Sequence, residues 1–162
     1  MQMNHPPRIG FGYDVHALQE GLPLIIGGVI IPFHKGAVGH SDADVLIHAV
    51  MDALLGAAGL RDIGQHFPDK DPAYRGADSK SLLGRVAEMI AGKGYRIGNI
   101  DATICLQTPR VSPFVPAMER EMASVLQLDT AQVSVKATTT EGLGFVGKGD
   151  GVSAYAVALL YQ

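Results

Sequence analysis

"SDADVLIHAVMDALLGAAG", residues 41–59, reads as a helix: Val45, Leu46, Ala49, Val50, Ala53 and Leu54 recur at helical spacing, and glycine ends the run. Ser41 or Asp42 is the expected cap. What flanks this helix decides the fold. Before it come "RIGFGYDVHAL", a strand, and "LPLIIGGVIIP", two β-branched runs about a Gly27-Gly28 turn, which is a hairpin signal. After it come a loop of turn formers, "RDIGQHFPDKDPAYRGADS", and a second helix from about Ser79 to Ala91. "YRIGNIDATICLQ" then reads as a strand with Ile97, Asn99, Asp101, Thr103 and Cys105 on one face. "SPFVPAMEREMASVLQL" reads as a third helix capped by Ser112 with Pro113 at its first position. "QVSVKATTT" and "GVSAYAVALLY" close the chain as strands, with "EGLGFVGKGDG" between them. Strands and helices mix without strict alternation, so the expectation is α+β: one domain over 1–162, a mixed sheet with helices packed on one face.

The bulk numbers narrow the function. Of 162 residues, 47% are hydrophobic and 18% charged, an ordinary folded composition. A net charge of −3 argues against a nucleic-acid binder. No run of apolar residues is long enough to span a membrane. The start, "MQMNHPPRIG", carries no apolar export signal, and a single cysteine suits a reducing compartment, so a cytoplasmic protein is expected. Cys105 reads as a small buried apolar residue.

Two polar features interrupt this apolar background. In the helix, His40, Asp44, His48 and Asp52 fall four residues apart and form one stripe. Solvated helix faces usually mix lysine, glutamate and arginine, but no lysine or arginine occurs between Lys35 and Arg61. In the first strand, Asp14 and His16 project to one face while Val15 points the other way. Asp14, His16 and one histidine of the helix together offer two nitrogens and one oxygen, a set suited to zinc. Three protein ligands leave a position open for chemistry.

Near the end, "GLGFVG" (142–147) matches a dinucleotide fingerprint literally, but a strand is expected after it rather than a helix, and the chain ends too soon for the acidic partner. Lys136, "TTT", Glu141 and the following glycines still suit phosphate, with Glu141 a ligand for a hard cation such as Mg²⁺.

Asp14-Val15-His16, "GHSDAD" with His48 behind it, "DIG" and "HFPD" before Asp71, and "KATTTEGLGF", in this order, resemble one family: the 2-C-methyl-D-erythritol 2,4-cyclodiphosphate synthases of the non-mevalonate isoprenoid pathway. The resemblance runs from Arg8 to Leu160. It implies a phosphorus–oxygen lyase in a ferredoxin-like, homotrimeric arrangement, cyclising 4-diphosphocytidyl-2-C-methyl-D-erythritol 2-phosphate with release of CMP. By the same resemblance Asp14, His16 and His48 are zinc ligands, and Glu141 goes with a second ion, Mg²⁺ or Mn²⁺. His40 and Thr139 would act on the reacting phosphates, with Ser41 beside them. Asp62, Ile63 and Gly64, with the loop Phe67, Pro68, Asp69, Lys70 and Asp71, would hold the methylerythritol end. Leu106, Gln107, Thr108, Pro109, Arg110, Val111 and Ser112, with Thr138, Thr139, Thr140 and Glu141, would hold the cytidine diphosphate. Val15, Phe145 and Lys148 would belong to the substrate site, and the "GKGDG" segment with Lys148 would lie near the trimer axis, where a basic residue can hold an isoprenoid diphosphate in a central cavity. Three departures stand out: Gly142 where a basic residue is usual, Thr108 where a small apolar one is, and "GKGDG" for "GRGEG". Lysine there offers a point charge rather than arginine's fork. A zinc-dependent hydrolase of nucleotide diphosphates, or a non-catalytic prenyl-diphosphate binder, would draw on the same residues.

Overall fold

Alternation along the first strand organises the molecule. The computed structural model describes residues 5–162, and in it β1 (Arg8–Glu20) turns Gly10, Gly12, Asp14 and His16 inward and Ile9, Phe11, Tyr13 and Val15 outward. β1 pairs antiparallel with β7 (Gly151–Tyr161), which pairs antiparallel with β5 (Arg96–Cys105). β5 in turn runs parallel to β6 (Val133–Thr138). The short β4 (Lys35–Ala37) adds to the other edge, giving the order β4-β1-β7-β5-β6. β1 and β5 are therefore parallel with β7 inserted between them, a split βαβ unit.

The crossover begins with α1 (Val45–Ala57), followed by the one-turn α2 (Ile63–His66). α1 lies across β1 and β7 on the inner face of the sheet. α3 (Ser79–Gly92) packs on α1, and α4 (Val115–Leu126) packs on α3 and β6. Val45, Leu46, Ile47, Val50, Met51, Leu54 and Leu55 are all fully buried, so α1 has scarcely any solvated side. Its approach to β1 is unusually close. A Cβ on Gly10 would lie 1.8 Å from the Ala53 carbonyl oxygen, and one on Gly12 1.9 Å from that of Ala49. Glycine on the strand and alanine on the helix let the two backbones touch.

The helix start differs from expectation. Asp44, not Ser41 or Asp42, is the cap, because Asp44 is the last extended residue and its carboxylate accepts from Ile47 N–H at 3.0 Å. The polar stripe therefore breaks: His40 and Asp44 precede the helix, and only His48 and Asp52 lie on it. Asp44 also accepts from the backbone N–H groups of Gly27 (2.9 Å) and Gly28 (2.7 Å). These glycines, both at positive φ, turn the hairpin between β2 (Leu24–Ile26) and β3 (Val29–Ile31). One buried carboxylate thus fastens the hairpin to the helix. Burial pushes its pKa up to about 6, against the three N–H groups that favour the anion.

Three further expectations shift. Ser112 caps nothing: residues Ser112–Phe114 form a 3-10 turn before α4, and the Ser112 hydroxyl accepts from Arg110 Nε instead. A bulge between Ile97 and Asn99 moves Ile97 to the core face, leaving Asn99, Asp101, Thr103 and Cys105 on the outer one. Cys105 is accordingly half-buried rather than core. A one-turn helix, α5 (Gly144–Gly147), precedes β7 where the sequence predicts no helix. No helix among the described residues is long and apolar enough to cross a membrane.

Candidate metal centre and substrate groove

The glycines of β1 bring its next two inward residues under α1. Asp14 and His16 continue the face begun by Gly10 and Gly12. On the helix, Ala49, Ala53 and Ala57 meet those glycines, and His48 stands directly before Ala49. Close packing of the two backbones therefore sets His48 beside the Asp14 and His16 pair.

The three side chains converge. Asp14 Oδ2 lies 2.8 Å from His16 Nε2 and 3.1 Å from His48 Nδ1, and the two ring nitrogens are 3.3 Å apart. Among the described residues they form a group whose ligand atoms all lie within 4.8 Å of one another. The outer nitrogen of each ring is held. His16 Nδ1 donates to the Val38 carbonyl at 2.8 Å, which leaves Nε2 facing inward. His48 Nε2 lies 3.0 Å from Ser79 Oγ and 3.2 Å from Ser41 Oγ, which leaves Nδ1 facing inward. Two imidazole nitrogens and one carboxylate oxygen, with both rings aimed by a second bond, could hold a metal ion of the zinc type.

Charge supports the same reading. Burial raises the Asp14 pKa, but the imidazoles of His16 and His48 beside it outweigh that and hold the carboxyl at about 2. Burial lowers that of His16, yet the Asp14 carboxylate and the Val38 carbonyl bring it above its ordinary value. A metal cation between these groups would take the place of the His16 proton.

Beside the triad is a narrow pocket of about 30 Å³ lined by His40, Ser41, His48, Ile63, Phe67 and Asp69, among others. Asp62 caps α2, and Ile63 N–H donates to Asp52 at 2.8 Å, so the Asp62-Ile63-Gly64 turn is fastened to α1. Phe67 is buried and meets Tyr74 edge-on at 5.4 Å, with Arg85 over both rings. Pro68, Asp69 and Lys70 are exposed, and Asp71 caps the turn Pro72–Tyr74.

A separate open groove of about 500 Å³ is lined by Leu106, Gln107, Pro109, Arg110, Val111, Ser112, Thr138 and Thr139. Thr108 lies in the same loop; Thr140 and Glu141 continue the other wall, where Thr140 Oγ1 donates to the Leu143 carbonyl and Gly142 N–H to Gln107 Oε1. Glu141 is exposed and is not part of the Asp14, His16 and His48 group. Val15 points to the outer face, away from the triad, because strand alternation opposes it to Asp14 and His16. Phe145 and Lys148 lie at the turn into β7, with the Phe145 ring against Gly151.

Triad and groove share one rim of the sheet. Val15 pairs with Ser153, Ser153 with Cys105, and Cys105 with Thr138. Three strand spacings separate the ends of that row, about 14 Å. Asp42, Ser79 and Tyr74 also belong to this neighbourhood; the sequence marks Asp42 only as a candidate cap within "GHSDAD" and gives Ser79 and Tyr74 no role at the site. The carbonyl of Val38 leaves no signal in the sequence, because any residue supplies one.

The family model for the YgbB family matches residues 7–161. A 2-C-methyl-D-erythritol 2,4-cyclodiphosphate synthase of Pelotomaculum thermopropionicum is 61% identical over 155 residues, 96% of each chain. That of Porphyromonas gingivalis is 60% identical over 158 residues, 98% of each. The solved CDP complex of IspF from Plasmodium falciparum superposes with a TM-score of 0.84 at 35% identity, covering 96% of both chains. The chain therefore belongs to the YgbB family, that of the 2-C-methyl-D-erythritol 2,4-cyclodiphosphate synthases.

Proposed function

We propose that this chain cyclises 4-diphosphocytidyl-2-C-methyl-D-erythritol 2-phosphate to 2-C-methyl-D-erythritol 2,4-cyclodiphosphate and CMP, acting as a phosphorus–oxygen lyase. The observation that carries it is the convergence of Asp14, His16 and His48 on the same rim as the groove of Leu106–Ser112 and Thr138–Thr139, in a chain 61% identical to a synthase of that name. An oxygen of the 2-phosphate bonds to the β-phosphorus, the bond from that phosphorus to the CMP oxygen breaks, and CMP leaves with the electron pair. Such a transfer needs in-line positioning and charge neutralisation more than proton chemistry.

Asp14, His16 and His48 would hold zinc, one per subunit; when bound, it polarises the diphosphate. His40 and Thr139 donate to phosphate oxygens as charge develops there. Glu141 would hold Mg²⁺ or Mn²⁺, which would supply positive charge to the diphosphate from the groove side. The turn at Asp62 and the loop at Phe67 orient the methylerythritol end.

The working unit is a homotrimer of ferredoxin-like subunits, with each site shared between neighbours. The split βαβ unit supports the ferredoxin-like relation. The outward Ile9, Phe11, Tyr155 and Val157 form an exposed apolar face that suits subunit contact. The separation of about 14 Å between triad and groove in one subunit suits sharing. Phe145 would contribute to the substrate site, and Lys148 would face a central cavity open to an isoprenoid diphosphate. A cytoplasmic setting fits the composition.

The test is ³¹P NMR of purified protein with the diphosphocytidyl substrate, Zn²⁺ and Mg²⁺. Equimolar CMP and cyclic diphosphate, lost in Asp14→Ala, are expected. CMP with a linear phosphorylated product would mean hydrolysis, and no turnover by folded, zinc-loaded protein would mean a binding protein.

A further inference from the structure

We propose that Asp42 and Ser79 are a positioning pair that fixes which nitrogen of His48 carries the proton, so that Nδ1 is presented bare to the metal. The proposal rests on reading Asp14, His16 and His48 as a metal site.

Ser79 is fully buried at the first turn of α3, while Asp42 lies in the loop before α1. The Ser79 hydroxyl donates to Asp42 Oδ1, and the Ser79 N–H donates to Asp42 Oδ2 at 2.9 Å. A hydroxyl has one proton, and the carboxylate takes it. Ser79 Oγ can therefore only accept from His48 Nε2, 3.0 Å away. That requires hydrogen on Nε2 and a lone pair on Nδ1.

The opposing pull comes from Asp14 Oδ2, 3.1 Å from Nδ1. That oxygen also lies 2.8 Å from His16 Nε2, so it is shared between two rings rather than aimed at Nδ1 alone. Among the described residues no other group donates to Ser79 Oγ, so a proton moved to Nδ1 would leave two buried acceptors face to face. Ser41 Oγ sits 3.2 Å from Nε2 and accepts from Ala43 N–H, which leaves its own proton free, so it can accept from Nε2 or donate to it and favours neither tautomer. The pair thus commits His48 before any ion arrives.

Long-range ¹H–¹⁵N spectra of the metal-free protein in mildly alkaline buffer read the tautomer directly. Wild type is expected to show His48 protonated on Nε2, and Ser79→Ala to shift the proton toward Nδ1. Zinc affinity, measured by competition with a chelating dye, is expected to weaken about 10- to 100-fold in Ser79→Ala and in Asp42→Asn. Hydrogen on Nδ1 in the wild type overturns the proposal with the metal reading intact, and does so even if both variants fail to fold. Unchanged zinc affinity in folded Ser79→Ala overturns it too. A wild type with the expected tautomer that takes up no zinc overturns it through the metal reading instead.

Discussion

Gly12 of β1 and Ala49 of α1 meet backbone to backbone, since a Cβ on Gly12 would lie 1.9 Å from the Ala49 carbonyl oxygen. That contact sets the height at which the helix crosses the strand, and so the reach from His48 to Asp14. Gly12→Ala is expected to cost about 3 kcal/mol or more, because backbone rather than a flexible side chain must give way. It should also weaken zinc binding. Gly56→Ala, on the same helix with nothing within 4 Å of the new Cβ, is the control. It should gain about 1 kcal/mol from helix propensity. Denaturant melts check both, and a Gly12→Ala protein as stable as wild type would sink the contact's assigned role.

Asp44 joins two elements that are distant in sequence. Asp44→Ala leaves the N–H groups of Gly27, Gly28 and Ile47 without their acceptor, a loss of about 3–5 kcal/mol. Because burial raises this carboxyl to about 6, the stability linked to its protonation is fully present below the unfolded value of 3.8 and is lost as pH rises through 6. Asp44→Asn cannot titrate. The wild-type melting temperature should therefore fall relative to that of Asp44→Asn across this window, and parallel curves would refute the raised carboxyl.

The periodicity of residues 41–59 and the hairpin glycines are legible because local spacing encodes them. So are Asp14 and His16, since strand alternation puts them on one face. The helix stripe misleads. Asp44 and His40 match the spacing, but Ala43 takes a positive φ, and the helix starts only at Val45. Ser112 carries a good capping residue's chemistry, yet a 3-10 turn intervenes before the helix. The bulge that turns Ile97 inward depends on pairing with β7, which lies about sixty residues away in the chain and is invisible to any local pattern. Ser79 reads as a helix start; its contact with His48 exists only once α3 packs on α1.

Zinc uptake should compete with a proton on His16. Burial lowers this pKa, but Asp14 and the Val38 carbonyl bring it above the ordinary 6.5. Below that raised value His16 is protonated, so metal affinity falls as the solution is acidified through it. In the metal-free protein the signs are separable. The stability from His16 is present below 6.5 and lost as pH rises through its raised value; that from Asp14 is present above 3.8 and lost as pH falls toward 2. Titration calorimetry in buffers of different ionisation enthalpy should show proton release on zinc binding near neutral pH. No release there would refute the His16–Asp14 ion pair.

The proposed sharing of sites between subunits predicts complementation. Asp14→Ala removes a candidate metal ligand, and Thr139→Ala alters the groove, so each variant alone should lose most activity. If one subunit's triad works with a neighbour's groove, randomly mixed trimers place an intact triad beside an intact groove in about one site in four. Unfolding and refolding an equimolar mixture should then restore activity that neither variant has. Val157→Asp, on the exposed outer face, should prevent assembly and abolish the recovery together. Sedimentation velocity reports the assembly independently of turnover. Mixed trimers that assemble and stay inactive would confine each site to one subunit, and would require the substrate to bridge about 14 Å along the rim of a single sheet.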